Sequence, residues 1–215
     1  MSIHSALMEI ALREWTFFGK DLGRSDKLVD GKNKERVQPY CDRVGDYWLS
    51  ISSTDYARLV KDHDPIRKKL DGETRLPWSA AFISYCMNMA GAGNKFPYSS
   101  GHAAWMIRAA KNRAANKLSA PLVAYRLGEK ALKVGDLIAR PRGGGASSVT
   151  YDNLATQGWF ESHSDIVVGI NLAEREAYVI GGNMGQSVGQ ATVKIDQKGS
   201  LIDPDGWIVH IENNI

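Results

Sequence analysis

The sequence predicts an α+β fold, with helices in the first half of the chain and an antiparallel sheet in the second. Apolar residues recur at helical spacing up to about residue 118, whereas short runs rich in Val and Ile follow from about residue 132. No internal repeat or linker is visible between these halves. The length of 215 residues is typical of a single domain, 1–215, with one main core.

Four segments of the helical half precede the catalytic candidates. A helix is predicted over 6–18, where apolar residues follow one another at steps of three and four, and Gly19 ends it. The polar segment 21–36 predicts a loop. A second helix is predicted after the proline in 37–50, and the charged segment 55–72 predicts a loop or a short helix.

The segment 77–90 is the most helix-like apolar part of the chain. Pro77 lies at a first-turn position and Gly91 follows the last apolar residue, as at many helix ends. The segment is apolar on nearly every side, which predicts a buried central helix. Another helix is predicted over 101–116.

The strand half contains five candidate strands, each short and rich in β-branched residues. They read VGDLIA, SDIVVGI, AYVIGG, ATVKID and WIVHIE. Turn signals at 140–145, 171–176 and 203–206 separate them and predict a meander. The alternation in the last strand places His210 on its solvent face.

Charge and composition exclude several classes of protein. Lys and Arg total 27 against 24 Asp and Glu, a net charge of +3, and the basic residues are interleaved with acids, so no nucleic-acid partner is predicted. No stretch approaches the roughly 18 apolar residues of a membrane span. The first 15 residues contain Glu9, Arg13 and Glu14, and no secretion signal is expected.

The two cysteines predict no disulfide framework. Cys41 and Cys86 are expected to be free thiols, and Cys86 lies within an apolar run that predicts a core position. Cys86 follows Ser79 by two helical turns, roughly 10 Å along a helix axis, so it cannot replace Ser79 as a nucleophile.

Three short motifs carry the candidate chemistry. The first is 77–82, at the start of the buried helix, with Ser79 in its first turn; the second is 162–168, at the start of a strand; the third is 181–183, at the end of the next strand. Two adjacent antiparallel strands would bring His163 and Asn183 side by side. The helix start would then bring Ser79 to the histidine, which is the arrangement that nucleophilic hydrolysis needs.

Further residues are second-rank candidates for the same cleft. His102 begins a predicted helix, and Asp165 lies two residues after His163 on the same face of the strand. Three tryptophans, Trp78, Trp105 and Trp159, offer stacking surfaces for a sugar or positions in the core.

A metal site is an alternative reading of the polar residues. His163, Asp165, His102 and the pair 63–64 supply nitrogen and carboxylate ligands. The chain has no HExxH motif and no close histidine pair. The preferred expectation is therefore a site with no metal and no cofactor, and the alternative is a metal-dependent hydrolase.

The motifs resemble those of the NlpC/P60 and CHAP superfamily of papain-like cell-wall hydrolases, and most closely the bacterial DUF2272 branch. The resemblance rests on Trp-Ser-Ala-Ala-Phe at 78–82, His163 and Asn183 in that order, and on Gly-Asp-Leu-Ile at 135–138. It covers roughly residues 6 to 212. It implies a papain-like NlpC/P60 fold in which N-terminal helices pack on a C-terminal antiparallel sheet.

The resemblance also implies an activity, an amidase or endopeptidase that acts on bacterial peptidoglycan. Ser79 would attack the carbonyl, His163 would act as base and Asn183 would orient His163, whereas most of the superfamily has Cys at position 79. Three readings stay open: Ser79 is a working nucleophile, the protein is an inactive cell-wall binder, or other residues carry the chemistry.

The expected context is bacterial. A chain made in the cytoplasm without a signal peptide needs another route to the periplasm or cell wall. An antibacterial effector with a secretion-system carrier and an immunity protein, or a phage-type lysin, would fit.

Overall fold

The computed structural model describes residues 2–23, 34–202 and 205–215, and these form a mixed α+β fold. The helices are α1 (Ile3–Phe17), α2 (Tyr40–Trp48), α3 (Ser53–His63), α4 (Ser79–Met89) and α5 (Ala103–Ala114). The strands are β1 (Asp21–Leu22), β2 (Leu122–Tyr125), β3 (Leu137–Pro141), β4 (Ser162–Asn171), β5 (Glu176–Met184), β6 (Ser187–Lys194) and β7 (Val209–Asn213). The predicted α+β class is confirmed, and so are the helices predicted over 6–18, 37–50, 77–90 and 101–116. The segment 55–72, left open between loop and helix, includes most of α3.

The seven strands form one sheet in the order β1-β6-β5-β4-β3-β7-β2. The predicted meander is confirmed for β3 to β6, which pair antiparallel in chain order. It is wrong for the last strand, because β7 lies between β3 and β2. The sequence reading also missed β1 and β2. All four residues of β2 are buried, so the run lacks the alternation that marks a half-exposed strand.

Helix α4 lies at the centre of the larger core, as its apolar sequence predicts. The residues from Ser79 to Met87 are all buried, and α1, α2, β4 and β5 pack against this helix. Gly182 of β5 makes this packing possible: a Cβ there would lie 2.4 Å from Phe82 Cβ and 2.9 Å from the Trp78 ring. The glycine thus allows the sheet to approach the start of α4 closely.

A smaller apolar cluster covers the opposite face of the sheet. It includes Ile138, Val167, Val179 and Trp207, whereas the residues that alternate with them, such as Leu137, belong to the larger core. None of the described helices has the length and apolar character that a membrane crossing requires. The two cysteines are free, as predicted, and both are buried, which the sequence predicted for Cys86.

The position of His210 differs from the prediction. The imidazole is buried rather than on a solvent face, and its Nε2 lies 2.7 Å from Asp136 Oδ2. The reason is that the sheet face which carries His210 is covered: its register neighbours are Tyr125 and the buried Ile138, and the Tyr125 ring lies 5.9 Å from the His210 ring.

Candidate active site

Ser79 is the first residue of α4, and its side chain points to a histidine. Trp78 precedes it in the N-cap position without a side-chain cap, and the helix ladder begins with the Phe82 N–H to Trp78 O bond of 3.0 Å. The N–H groups of residues 79–81 therefore have no carbonyl partner within the helix. Ser79 Oγ lies 2.7 Å from His102 Nε2, a hydrogen-bond distance.

His102 lies directly before α5 and is held by its neighbours. Its ring packs edge-on against Trp105, with the centroids 5.0 Å apart, and the residue is 2% exposed. Burial lowers the pKa of His102 well below its ordinary 6.5, and electrostatic interactions with His163 and Arg142 lower it further. The imidazole is therefore neutral at pH 7. Its Nδ1 has no hydrogen-bond partner among the described residues.

His163 and Asp165 form a second pair behind His102. The rings of His102 and His163 lie 5.4 Å apart, and His163 Nε2 is 2.6 Å from Asp165 Oδ1, with both side chains fully buried. The close contact does not have hydrogen-bond alignment: within the described parts of the chain, no polar side-chain atom of this pair has a hydrogen-bond partner. Gly181 provides the room, since a Cβ there would lie 1.9 Å from Asp165 Oδ1.

A hydrogen bond from Trp105 connects the Ser79–His102 contact to the strand that carries His163 and Asp165. Trp105 Nε1 donates to Ser164 Oγ at 2.9 Å, between His163 and Asp165 in the chain. Because Trp105 also contacts His102, it connects the start of α5 to β4. The histidine pairing is therefore a consequence of how α5 packs on the sheet.

Two predicted roles in the Ser-His-Asn arrangement need correction. The histidine at Ser79 is His102 and not His163, because neither ring nitrogen of His163 has a hydrogen-bond partner. For the same reason Asn183 does not orient His163. Asn183 has a left-handed backbone, with φ of 55°, where the pairing of β5 with β6 shifts register. Asp165, a second-rank candidate, contacts His163 instead.

Trp78 is also corrected as a substrate-binding candidate. The indole is fully buried, and its Nε1 donates to Glu35 Oε2 at 2.6 Å, so it offers no face to a ligand. Desolvation raises the pKa of Glu35, although this hydrogen bond and Arg36 oppose the rise. Trp105 is likewise buried, whereas Trp159 is 77% exposed.

A cleft of about 710 Å³ opens beside Ser79 and His102. Trp159 and Glu161 line it from one side, and Arg58 and Arg142 are among its other polar residues. Its apolar wall includes Trp48, Leu59, Leu76, Pro77 and Phe160. The cleft can thus hold a ligand with both apolar and charged groups, close to the Ser79 hydroxyl.

The ligand sets suggested for a metal do not assemble in the described residues. No three His, Cys, Asp or Glu side chains within 2–23, 34–202 and 205–215 are placed to hold a metal ion together. His63 lies at the exposed end of α3.

The comparisons with known proteins assign the family but no activity. A family model described as "Uncharacterized protein conserved in bacteria (DUF2272)" matches residues 35–214. The chain belongs to the DUF2272 family. A search of curated proteins found no match, and neither did a search of solved structures. Every residue of the two pairs in this DUF2272 protein lies within the matched range.

In this DUF2272 chain the sequence patterns predicted Ser79, His102, His163 and Asp165 as candidates for one cleft, but they did not predict which of these residues contact one another. They ranked His102 second, since the only local signal was its position at a helix start. Arg142, which lines the cleft near His102, is not predicted as a cleft residue, because the basic pair at 140 and 142 lies in a segment with turn signals. Arginines that alternate along a strand end were the available signal.

Proposed function

We propose that this protein hydrolyses an amide bond of bacterial cell-wall peptide, with Ser79 as nucleophile and His102 as general base. The observation that carries the proposal is the 2.7 Å contact of Ser79 Oγ and His102 Nε2 at the wall of the cleft. Hydroxyl and base within hydrogen-bond reach, beside a cavity that admits substrate, are the minimum requirement for serine hydrolysis.

The bond changes follow from this contact. Ser79 Oγ attacks the scissile carbonyl carbon while its proton moves to Nε2 of His102, which is neutral and carries its own proton on Nδ1. The C–N bond then breaks, and His102 returns the proton to the leaving amine. Water next attacks the acyl-serine, again through His102, and releases the acid. The N–H groups at the start of α4 lie at the end of the helix where negative charge is favoured.

The pair behind His102 has a supporting role in this proposal. When His102 takes the proton from Ser79 it becomes a buried cation, which is costly without a nearby negative charge. The Asp165 carboxylate contacts His163, whose ring is 5.4 Å from that of His102. We assign Asp165 as the residue whose negative charge favours the protonated form of His102 during the reaction, and His163, which by itself lowers the pKa of His102, as the residue that positions Asp165.

The proposal extends to fold family and context. The order of helix, His-bearing strand and following strand, together with the bacterial family, supports a papain-like NlpC/P60 fold that acts on peptidoglycan. A site of action in the periplasm or cell wall follows from that substrate. Delivery as an antibacterial effector, with a carrier and an immunity protein, or as a phage-type lysin is part of the same proposal.

Digestion of purified sacculi tests the activity. The wild type should release soluble fragments, and Ser79→Ala should reduce the rate by at least about 10³-fold, as for other serine nucleophiles. The matched control is Ser84→Ala, which removes a buried hydroxyl of the same helix; among the described residues this hydroxyl bonds the backbone of Ser99. Ser84→Ala should retain the wild-type rate per folded molecule. A folded Ser79→Ala protein with full activity would refute the mechanism.

One observation favours a second candidate, a cell-wall binder without activity. His102 Nδ1 has no partner among the described residues, so the structure shows no third group that orients the base as in a triad. The exposed Trp159 at the cleft would then serve ligand binding alone. This candidate predicts sedimentation of the wild type with sacculi, release of no fragments, and loss of binding in Trp159→Ala.

A further inference from the structure

A second pocket, separate from the Ser79 contact, lies at the end of β3. Its volume is about 520 Å³, and it is lined by Arg140, Arg142, Ser147, Asp205 and a mainly apolar remainder. Pro141, Ala146, Val149 and Ile208 form that apolar part. Arg142 also lines the cleft beside Ser79, so the two cavities adjoin.

Arg140 is an unusual residue to find in the wall of such a pocket. It is 8% exposed, its Cζ lies 4.5 Å from the Trp207 ring centroid, and Nη1 donates to the carbonyl oxygen of Asp205. Its Nε and Nη2 are buried without a hydrogen-bond partner in the described chain. A buried guanidinium with two unsatisfied donors is unfavourable unless an acceptor is supplied from outside.

The two free donors define the ligand chemistry. Nε and Nη2 lie on one edge of the guanidinium plane and match the two oxygens of a carboxylate. Asp205 in the lining disfavours a doubly charged ligand, and the apolar residues favour a small hydrocarbon group next to the acid. We propose that this pocket binds a carboxylate-bearing ligand of the type of an acylated small amino acid or a peptide C-terminus, with Arg140 as its anchor.

Binding requires one local change. Nε and Nη2 are buried, so the guanidinium must turn toward the cavity that Arg140 lines as the carboxylate enters. The ion pair then forms in a region of low water content, where charge-assisted hydrogen bonds are strong. The register places Arg140 directly opposite His163 on β4, so an occupied site would lie next to the His163–Asp165 pair. The proposal concerns binding and is independent of hydrolysis by Ser79.

The test is a titration of the wild-type protein with two matched peptides, followed by NMR. Acetyl-alanyl-alanine carries a free carboxylate, and the same peptide with a C-terminal amide lacks it. The carboxylate peptide should shift the Arg140 Nε–H resonance and bind at least about tenfold more tightly than the amide, as expected for charge-assisted bonds. Inorganic phosphate should bind more weakly than the carboxylate peptide.

Two variants test whether Arg140 anchors the carboxylate. Arg140→Lys keeps the charge but loses the two-donor edge, and should weaken binding of the carboxylate peptide roughly tenfold. Arg126→Lys, at an exposed arginine that pairs with Asp152, should bind as the wild type does. Equal binding of the two peptides, no shift at Arg140, or tighter binding of phosphate would overturn the proposal. The wild-type titration gives this answer even if Arg140→Lys does not fold.

Discussion

Two buried histidine–aspartate pairs lie among the described residues, and they differ in how their polar atoms are hydrogen-bonded. His210 Nε2 lies 2.7 Å from Asp136 Oδ2, and His163 Nε2 lies 2.6 Å from Asp165 Oδ1. Asp136 also accepts the backbone N–H groups of Lys133, at 2.9 Å, and Asn213, at 3.0 Å. Asp165 accepts no hydrogen bond from any described residue.

The difference separates a pair that stabilises the fold from a pair that, under the proposed function, supports the reaction. Asp136 links the turn before β3 to the end of β7 through saturated hydrogen bonds, which is typical of a structural carboxylate. The side chains of His163 and Asp165 are fully buried, but among the described residues they form no such hydrogen bonds. They lie next to a histidine that contacts a hydroxyl at a cleft. Unsatisfied buried polar atoms of this kind are expected where function, rather than stability, maintains them.

The largest expected effect is on activity and concerns His102. His102→Gln removes the base and should lower the rate of fragment release from sacculi roughly 10²- to 10⁴-fold. His210→Gln, at the structural pair, should leave the rate per folded molecule unchanged. Equal rates for His102→Gln and wild type would show that His102 is not the base, and the contrast between a functional and a structural pair would no longer hold.

The next effect is on stability and concerns Asp136. Asp136→Ala leaves the N–H groups of Lys133 and Asn213 and the ring of His210 without their acceptor. The free energy of unfolding in urea should fall by about 3–5 kcal/mol. Activity per folded molecule should stay at the wild-type level. A loss below about 1 kcal/mol, the size of one ordinary hydrogen bond, would show that this carboxylate does not hold the sheet.

The opposite stability result is expected for Asp165. Asp165→Asn replaces a buried carboxyl group that has no hydrogen bonds among the described residues with a neutral amide, so the free energy of unfolding should be unchanged or rise by about 1 kcal/mol. The rate of sacculus digestion should fall about 10- to 100-fold, as for other residues that act through a neighbour. A stability loss like that of Asp136→Ala would show that the His163–Asp165 pair, like the His210–Asp136 pair, stabilises the fold.

A smaller effect is expected in the pH dependence of stability. The unfolded chain binds a proton on this histidine near pH 6.5, whereas burial lowers the pKa of folded His102 well below that value. Acid therefore favours unfolding: the contribution of neutral His102 is complete above pH 6.5 and is lost as the pH falls. From pH 6.5 to 5 the wild type should lose about 1–2 kcal/mol more than His102→Gln.

Urea titrations at several pH values measure this difference. His63→Gln is the control, because His63 is exposed at the end of α3. It should parallel the wild type across the same range. If His102→Gln were as acid-sensitive as the wild type, the buried neutral state of His102 would be wrong.

Local patterns in the sequence predicted much of this architecture. Helical spacing predicted α1, α2, α4 and α5, the apolar character of 77–90 predicted burial of α4, and β-branched runs predicted the strands from β3 onward. The same patterns identified Ser79, His102, His163 and Asp165 as polar residues at element ends. Such signals are reliable because a periodic apolar face must be buried.

Only the tertiary structure decided which of these residues meet. Ser79 and His102 are 23 residues apart, Trp105 and Ser164 are 59 apart, and Asp136 and His210 are 74 apart. These contacts depend on how α5 packs on the sheet and on the insertion of β7 between β2 and β3, which no local pattern encodes. The sequence by itself determined the elements and the polar residues at their ends; long-range packing decided which histidine contacts Ser79 and which carboxylate holds the sheet.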